Sequence, residues 1–138
     1  MATFILVHGT WARAAHWPAL RDGLALAAST VGEHCRFEEL TWSGRNKASA
    51  RQGAASEIFS LVQKIQTTSR DEKIFVIGHS HGGSAIAYFL KEYSSLAKTL
   101  SGYAFLSTPF VAIRPRAQGS LLYAVVSFVP IYALIPSP

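Results

Sequence analysis

Short, almost uninterrupted apolar runs recur along the chain at Thr3–Val7, Ile74–Ile77 and Tyr103–Leu106. A run of four or five residues without polar alternation is the pattern of a strand covered on both faces. Phe37–Trp42 is a further strand candidate, ended by Ser43-Gly44. Helical spacing fills the intervals. Between Ala14 and Ser29, the residues Trp17, Leu20, Leu24 and Ala27–Ala28 share one face, with Arg21 and Asp22 off it. Pro18 fits the first turn of that helix, where a missing N–H costs little. A longer helix runs to about Thr67 on an apolar face of Ala54–Ala55, Ile58, Leu61–Val62 and Ile65, and Asn46 or Ser49 can cap it. Arg70–Lys73 is a polar turn, and a third helix extends from about Gly82 to Tyr93. The order β-α-β-α-β-α-β, with helix-length crossovers, predicts an α/β fold: a parallel sheet with helices on both faces.

Composition narrows the class without changing it. The 138 residues are 49% hydrophobic and 15% charged, which excludes a disordered chain and suits a buried sheet. The net charge is +5, but the basic residues (Arg13, Arg21, Arg45, Lys47, Arg51, Lys64, Arg70 and Lys73 among them) are scattered. No basic run interleaved with aromatics exists, so nucleic acid is not an expected partner. Cys35 is the only cysteine, which rules out an internal disulfide and a cysteine-based metal cluster. The first residues lack a basic stretch and a signal-length apolar run, so a cytoplasmic location is expected.

The candidate chemistry sits at Gly78-His79-Ser80-His81-Gly82-Gly83. Gly78-x-Ser80-x-Gly82 falls between a strand and a helix, the context in which this short motif is informative. A strand that reverses sharply into a helix can present one side chain at the tip, in a strained backbone conformation. Strand and helix then pass too closely for a Cβ at Gly78 or Gly82. The new helix aims its free N–H groups at any anion forming beside Ser80. His79 and His81 flank the serine at i, i+2, but nothing else supplies metal ligands at useful spacing, and no metal or other cofactor is expected. A nucleotide-binding reading fails too: no G-x-G-x-x-G follows Thr3–Val7, and Gly78–Gly83 lacks the Gly-Lys-Ser/Thr of a phosphate loop.

With these residues in place, the chain resembles the N-terminal half of an α/β-hydrolase of the lipase/esterase kind, with Gly78–Gly82 as its nucleophile elbow. Val7-His8-Gly9-Thr10-Trp11, after the first strand, resembles that superfamily's His-Gly oxyanion loop. The resemblance covers residues 3 to 110, and residues 111–138 form an apolar tail. It implies that Ser80 is the nucleophile and that the backbone N–H groups of His81 and Thr10 form the oxyanion hole. His8 is then a brace for the oxyanion loop rather than a proton carrier. His81 enters the helix and points away from Ser80, His16 lies near the loop on a surface helix, and His34 is exposed.

An activated serine needs a base, and the base an orienting carboxylate. The resemblance implies the chain order serine, acid, histidine. After Ser80 there is no Asp, no His but His81, and a single acid, Glu92, on a solvated helix face beside Lys91. Asp22, Glu33, Glu38, Glu39, Glu57 and Asp71 have no reason to converge on Ser80. The family's fold is commonly about twice this length, so a truncated product, a fragment or half of a split protein is expected. From Ala117 to Pro138 the chain carries no charge. Leu121–Ile135 reads as the start of a lid, a membrane-contacting segment with Arg114 and Arg116 at the headgroups, or core displaced by truncation. Two functions follow: a serine hydrolase of small apolar esters acting through a Ser80 acyl-enzyme, or an inactive module of that fold binding an apolar ligand, partner or membrane.

Overall fold

The computed structural model describes residues 1–12 and 17–110. The elements are β1 (Ala2–Val7), α1 (Pro18–Thr30), β2 (Cys35–Leu40), α2 (Ala48–Thr68), β3 (Lys73–His79), α3 (His81–Glu92), a short α4 (Ser94–Ala97) and β4 (Gly102–Leu106). The four strands form one parallel sheet in the order β2-β1-β3-β4. Every β1 residue is buried, since this strand has neighbours on both edges and helices on both faces.

Strand alternation sorts the core into two layers. Ile5 and Val7 of β1 and Ile74 and Val76 of β3 face α2 and α3, packing with Ile58, Val62, Ile86 and Phe89. Phe4, Leu6 and Ile77 face the other way, against Trp17, Leu20 and Leu24 at and in α1. On that face Phe4 stacks between Phe37 and Phe75, with ring centroids 5.5 and 5.1 Å away. The α/β arrangement read from the hydropathy pattern is the arrangement found.

Details differ where tertiary contacts outweigh local signals. The first helix is described from Pro18, its first residue, behind Trp17; His16 lies outside the described residues. β2 runs two residues earlier than the pattern suggests, because Cys35 and Arg36 pair with Ala2 and Thr3 of β1. Trp42 is buried beyond the strand end and donates its indole N–H to the His8 carbonyl at 3.0 Å. Neither Asn46 nor Ser49 caps α2: Lys47 holds that place in extended conformation without a side-chain bond, and the Asn46 amide oxygen accepts from Arg51 instead, at 3.0 Å. The short α4 has no counterpart in the hydropathy pattern.

Charged groups gather at the amino ends of the strands. Glu72, its side chain 1% exposed, pairs with Arg36 at 3.0 Å, and both bond the buried Thr3 hydroxyl. Glu33 pairs with Lys73 and, at 3.3 Å, with the N-terminal amine. The Lys73 ammonium bonded to it holds the Glu33 carboxyl below its usual range, with the terminal amine adding to the effect. Among the described residues no helix is long and apolar enough to cross a membrane. The tail from residue 111, with its lid, membrane and displaced-core readings, lies outside the described residues.

Candidate active site

Strand register brings three loops together. Val7 pairs with Gly78, and Gly78 with Phe105, so β1, β3 and β4 end at nearly one level. Their continuations, His8-Gly9, His79-Ser80 and Leu106-Ser107, therefore emerge side by side at the carboxyl edge of the sheet, where open α/β sheets build their sites.

Ser80 adopts φ 53° and ψ −127°, a left-handed conformation that an L-residue holds only under constraint. Two hydrogen bonds supply constraint. The Ser80 N–H donates to the Leu106 carbonyl at 2.8 Å, tying the turn to β4. The Gly83 N–H donates to the Ser80 carbonyl at 3.0 Å, opening α3. Close approach of the backbone does the rest. A Cβ at Gly78 would lie 2.6 Å from the Gly83 nitrogen, and one at Gly82 would strike the Val7 carbonyl and lie 2.6 Å from that of His8. Glycine at both positions is a packing requirement, as the spacing suggested.

The loop after β1 lies directly against this turn. A Cβ on Gly9 would sit 2.9 Å from the Ser80 Cβ and 3.4 Å from its Oγ. His8 is buried, stacks on Trp42 with centroids 5.5 Å apart, and pairs its Nδ1 with the Gly9 carbonyl at 2.8 Å. A neutral ring must donate from Nδ1 in that contact. His8 is thus wedged inside the loop. The Ala12 N–H reaches the Gly9 carbonyl at 3.4 Å and the Trp11 N–H the Gly44 carbonyl at 3.2 Å, folding the loop with Trp11 at φ 60°. Thr10 is held at the corner of that fold.

Of the other histidines, His34 and His79 are exposed. His81, the first residue of α3, is half-buried, with its Nδ1 shielded from solvent and without a partner. The buried nitrogens His8 Nε2 and His81 Nδ1 both lack hydrogen-bond partners, so neither contacts the Ser80 hydroxyl in that way. Four of the eight acids are engaged elsewhere: Glu33 and Glu72 in the pairs above, Glu39 with Arg21 at 3.1 Å, and exposed Glu92 with Gln52 at 3.5 Å. Among the described residues no three His, Cys, Asp or Glu side chains gather as metal ligands.

Two supports were not visible in the motif. One is the Leu106 carbonyl that receives the Ser80 N–H. The other is Thr108, which packs so tightly on Gly83 that any Cβ there would collide with its hydroxyl. The second glycine of Gly82-Gly83 is the one sequence signal that could have pointed to this contact.

Comparison with known proteins agrees with the fold. A putative chloroplastic methylesterase 12 from Arabidopsis thaliana is 32% identical over 95 residues, which are 65% of this chain and 25% of that protein. A cutinase-like protein from Cryptococcus sp. superposes with a TM-score of 0.62 at 11% identity, over 76% of this chain and 52% of its own. An acetyl xylan esterase, solved as an iodinated complex, gives a TM-score of 0.58 at 12% identity, over 81% and 65%. The chain thus spans about a quarter of the curated relative and between half and two thirds of these structural ones. The model of the alpha/beta hydrolase family matches residues 4–136, nearly the whole sequence, and the chain belongs to that family.

Proposed function

We propose that the chain carries the nucleophile and oxyanion-hole half of a serine ester hydrolase, with Ser80 as the nucleophile. The observation that carries this reading is the φ 53° conformation of Ser80 at a strand-to-helix turn, with Gly9 of the neighbouring loop against its side chain. Strain of about 1–3 kcal/mol at a non-glycine residue persists only where the surroundings enforce it, and functional sites are where it collects. Membership of the family, and relatives named as esterases, support an ester as the substrate class.

In the chemistry this implies, Ser80 Oγ bonds to the carbonyl carbon of the ester while the carbonyl π pair moves onto oxygen. The N–H groups of Thr10 and His81 meet that oxygen, each such donor being worth about 2.7–4 kcal/mol in the transition state. Collapse re-forms the carbonyl and expels the alcohol, leaving an acyl-Ser80 ester that water hydrolyses. The serine proton is taken by a base and returned to the leaving alcohol. In the family that base is a histidine later in the chain than the nucleophile. Among these 138 residues no histidine follows His81, so the base of that step is not assigned to a residue here.

A fluorophosphonate probe tests the reading: Ser80 Oγ bonds to phosphorus, fluoride leaves, and the proton passes to solvent. Labelling of the purified chain and its loss in Ser80→Ala is the expected result; no labelling, or equal labelling of both proteins, contradicts it. A second reading is an inactive module of the same fold that binds an apolar ligand, partner or membrane; the buried His8 Nε2 and His81 Nδ1, neither hydrogen-bonded to the Ser80 hydroxyl, favour it. Ester turnover by the 138-residue chain that disappears in Ser80→Ala would exclude it.

A further inference from the structure

Four buried side-chain polar atoms have no hydrogen-bond partner among the described residues: His8 Nε2, Thr10 Oγ1, His81 Nδ1 and Thr108 Oγ1. All four belong to the segments that surround Ser80. A folded protein rarely leaves such a group unpaired, because its desolvation is then uncompensated, and each instance calls for an explanation. For three of them local packing is visible. His8 is wedged against Trp42, His81 opens α3, and Thr108 presses on Gly83. The Thr10 hydroxyl has no such account.

Its surroundings suggest one. Gly9, the preceding residue, lies against Ser80 Cβ and Oγ, whereas Trp11, the next, is 78% exposed. The chain therefore passes from the Ser80 turn to open solvent within two residues, and Thr10 is the boundary. Its hydroxyl oxygen is screened from solvent and unpaired. The turn closed by Ala12 N–H on the Gly9 carbonyl, with Trp11 fastened to Gly44, holds the Thr10 backbone at that boundary.

We propose that the Thr10 side-chain hydroxyl is a third donor to the oxygen that gains negative charge beside Ser80, in addition to the N–H groups of Thr10 and His81. This rests on the reading of Ser80 as a nucleophile and deepens it. A hydroxyl donor kept unpaired before the substrate arrives is already desolvated, so its bond to the anion displaces no competing partner. The same hydroxyl is a stability defect in the free protein. Replacing it with an isosteric methyl should therefore slow the chemistry without weakening the fold.

The test compares fluorophosphonate labelling rates at Ser80 and thermal midpoints for the full chain, Thr10→Val and Thr10→Ser. Valine keeps the β-branched shape and the backbone N–H. Labelling slowed about tenfold or more in Thr10→Val, most of it recovered in Thr10→Ser, with the valine variant melting no lower than the parent, is the expected result. Labelling of Thr10→Val at the parental rate overturns the proposal. So does slowed labelling accompanied by a clearly lower melting point, which would reveal a structural partner for the hydroxyl. A parent chain that fails to label at all instead sinks the reading of Ser80 itself, and the two failures are thereby distinguished.

Discussion

Replacing Ser80 with glycine should make the fold more stable while abolishing its chemistry. Ser80 holds φ 53° and ψ −127°, where a Cβ crowds the backbone and glycine does not. Relief of about 1–3 kcal/mol is available there. Glycine also gives the unfolded chain extra freedom, which takes back about 0.4–1 kcal/mol and leaves a net gain of about 0.5–2 kcal/mol. Ser80→Ala is the essential control: it removes the half-exposed hydroxyl, which is worth within about 0.5 kcal/mol, but keeps the strained Cβ. Urea unfolding followed by circular dichroism, with equal slopes required for all three proteins, reads the difference as a midpoint shift of about half a molar in favour of glycine. A glycine variant no more stable than the alanine variant would refute the premise that the turn stores strain.

Gly82→Ala should do the opposite, since its methyl meets the carbonyls of Val7 and His8. A loss of about 1–3 kcal/mol in urea unfolding, with slowed Ser80 labelling, is expected from the forced separation of α3 and β1. Trp42→Phe leaves the buried His8 carbonyl without its indole donor at 3.0 Å and should cost about 1–3 kcal/mol by the same measurement. The Glu33 carboxyl is held low chiefly by Lys73, so the stability it adds is present above its unfolded value, near 4.5, and fades as pH falls through its folded one. Glu33→Gln should therefore flatten the acid limb of a stability–pH curve; an unchanged limb would count against the ion pair.

The parallel sheet was legible because β1 and β3 are covered on both faces, and that forces continuous apolar runs such as Phe4–Val7 and Ile74–Ile77. β2 was legible only in part. As an edge strand it carries the half-exposed Arg36 and Glu38, and the buried Trp42 beyond its end drew the apparent strand forward by two residues. The start of α2 is not legible in the residue types, because Asn46 gives its side-chain oxygen to Arg51 rather than to the helix N–H groups. At the site, the glycines of the elbow are local requirements and show in the spacing. The Leu106 carbonyl, the Thr108–Gly83 contact and the unpaired Thr10 hydroxyl depend on how β4 and the loop after β1 pack around the turn. No residue-level pattern in one chain encodes those distances.

A nucleophilic Ser80 oxygen must attack an acyl carbon. Incubation of the chain with p-nitrophenyl acetate, followed by peptide mass spectrometry, asks this directly, because neither His8 Nε2 nor His81 Nδ1 is hydrogen-bonded to Ser80 to speed deacylation. Acetylation on the peptide bearing Ser80, lost in Ser80→Ala and reduced in Gly82→Ala, is the result expected. Acetyl groups confined to lysines and the N-terminal amine would contradict it.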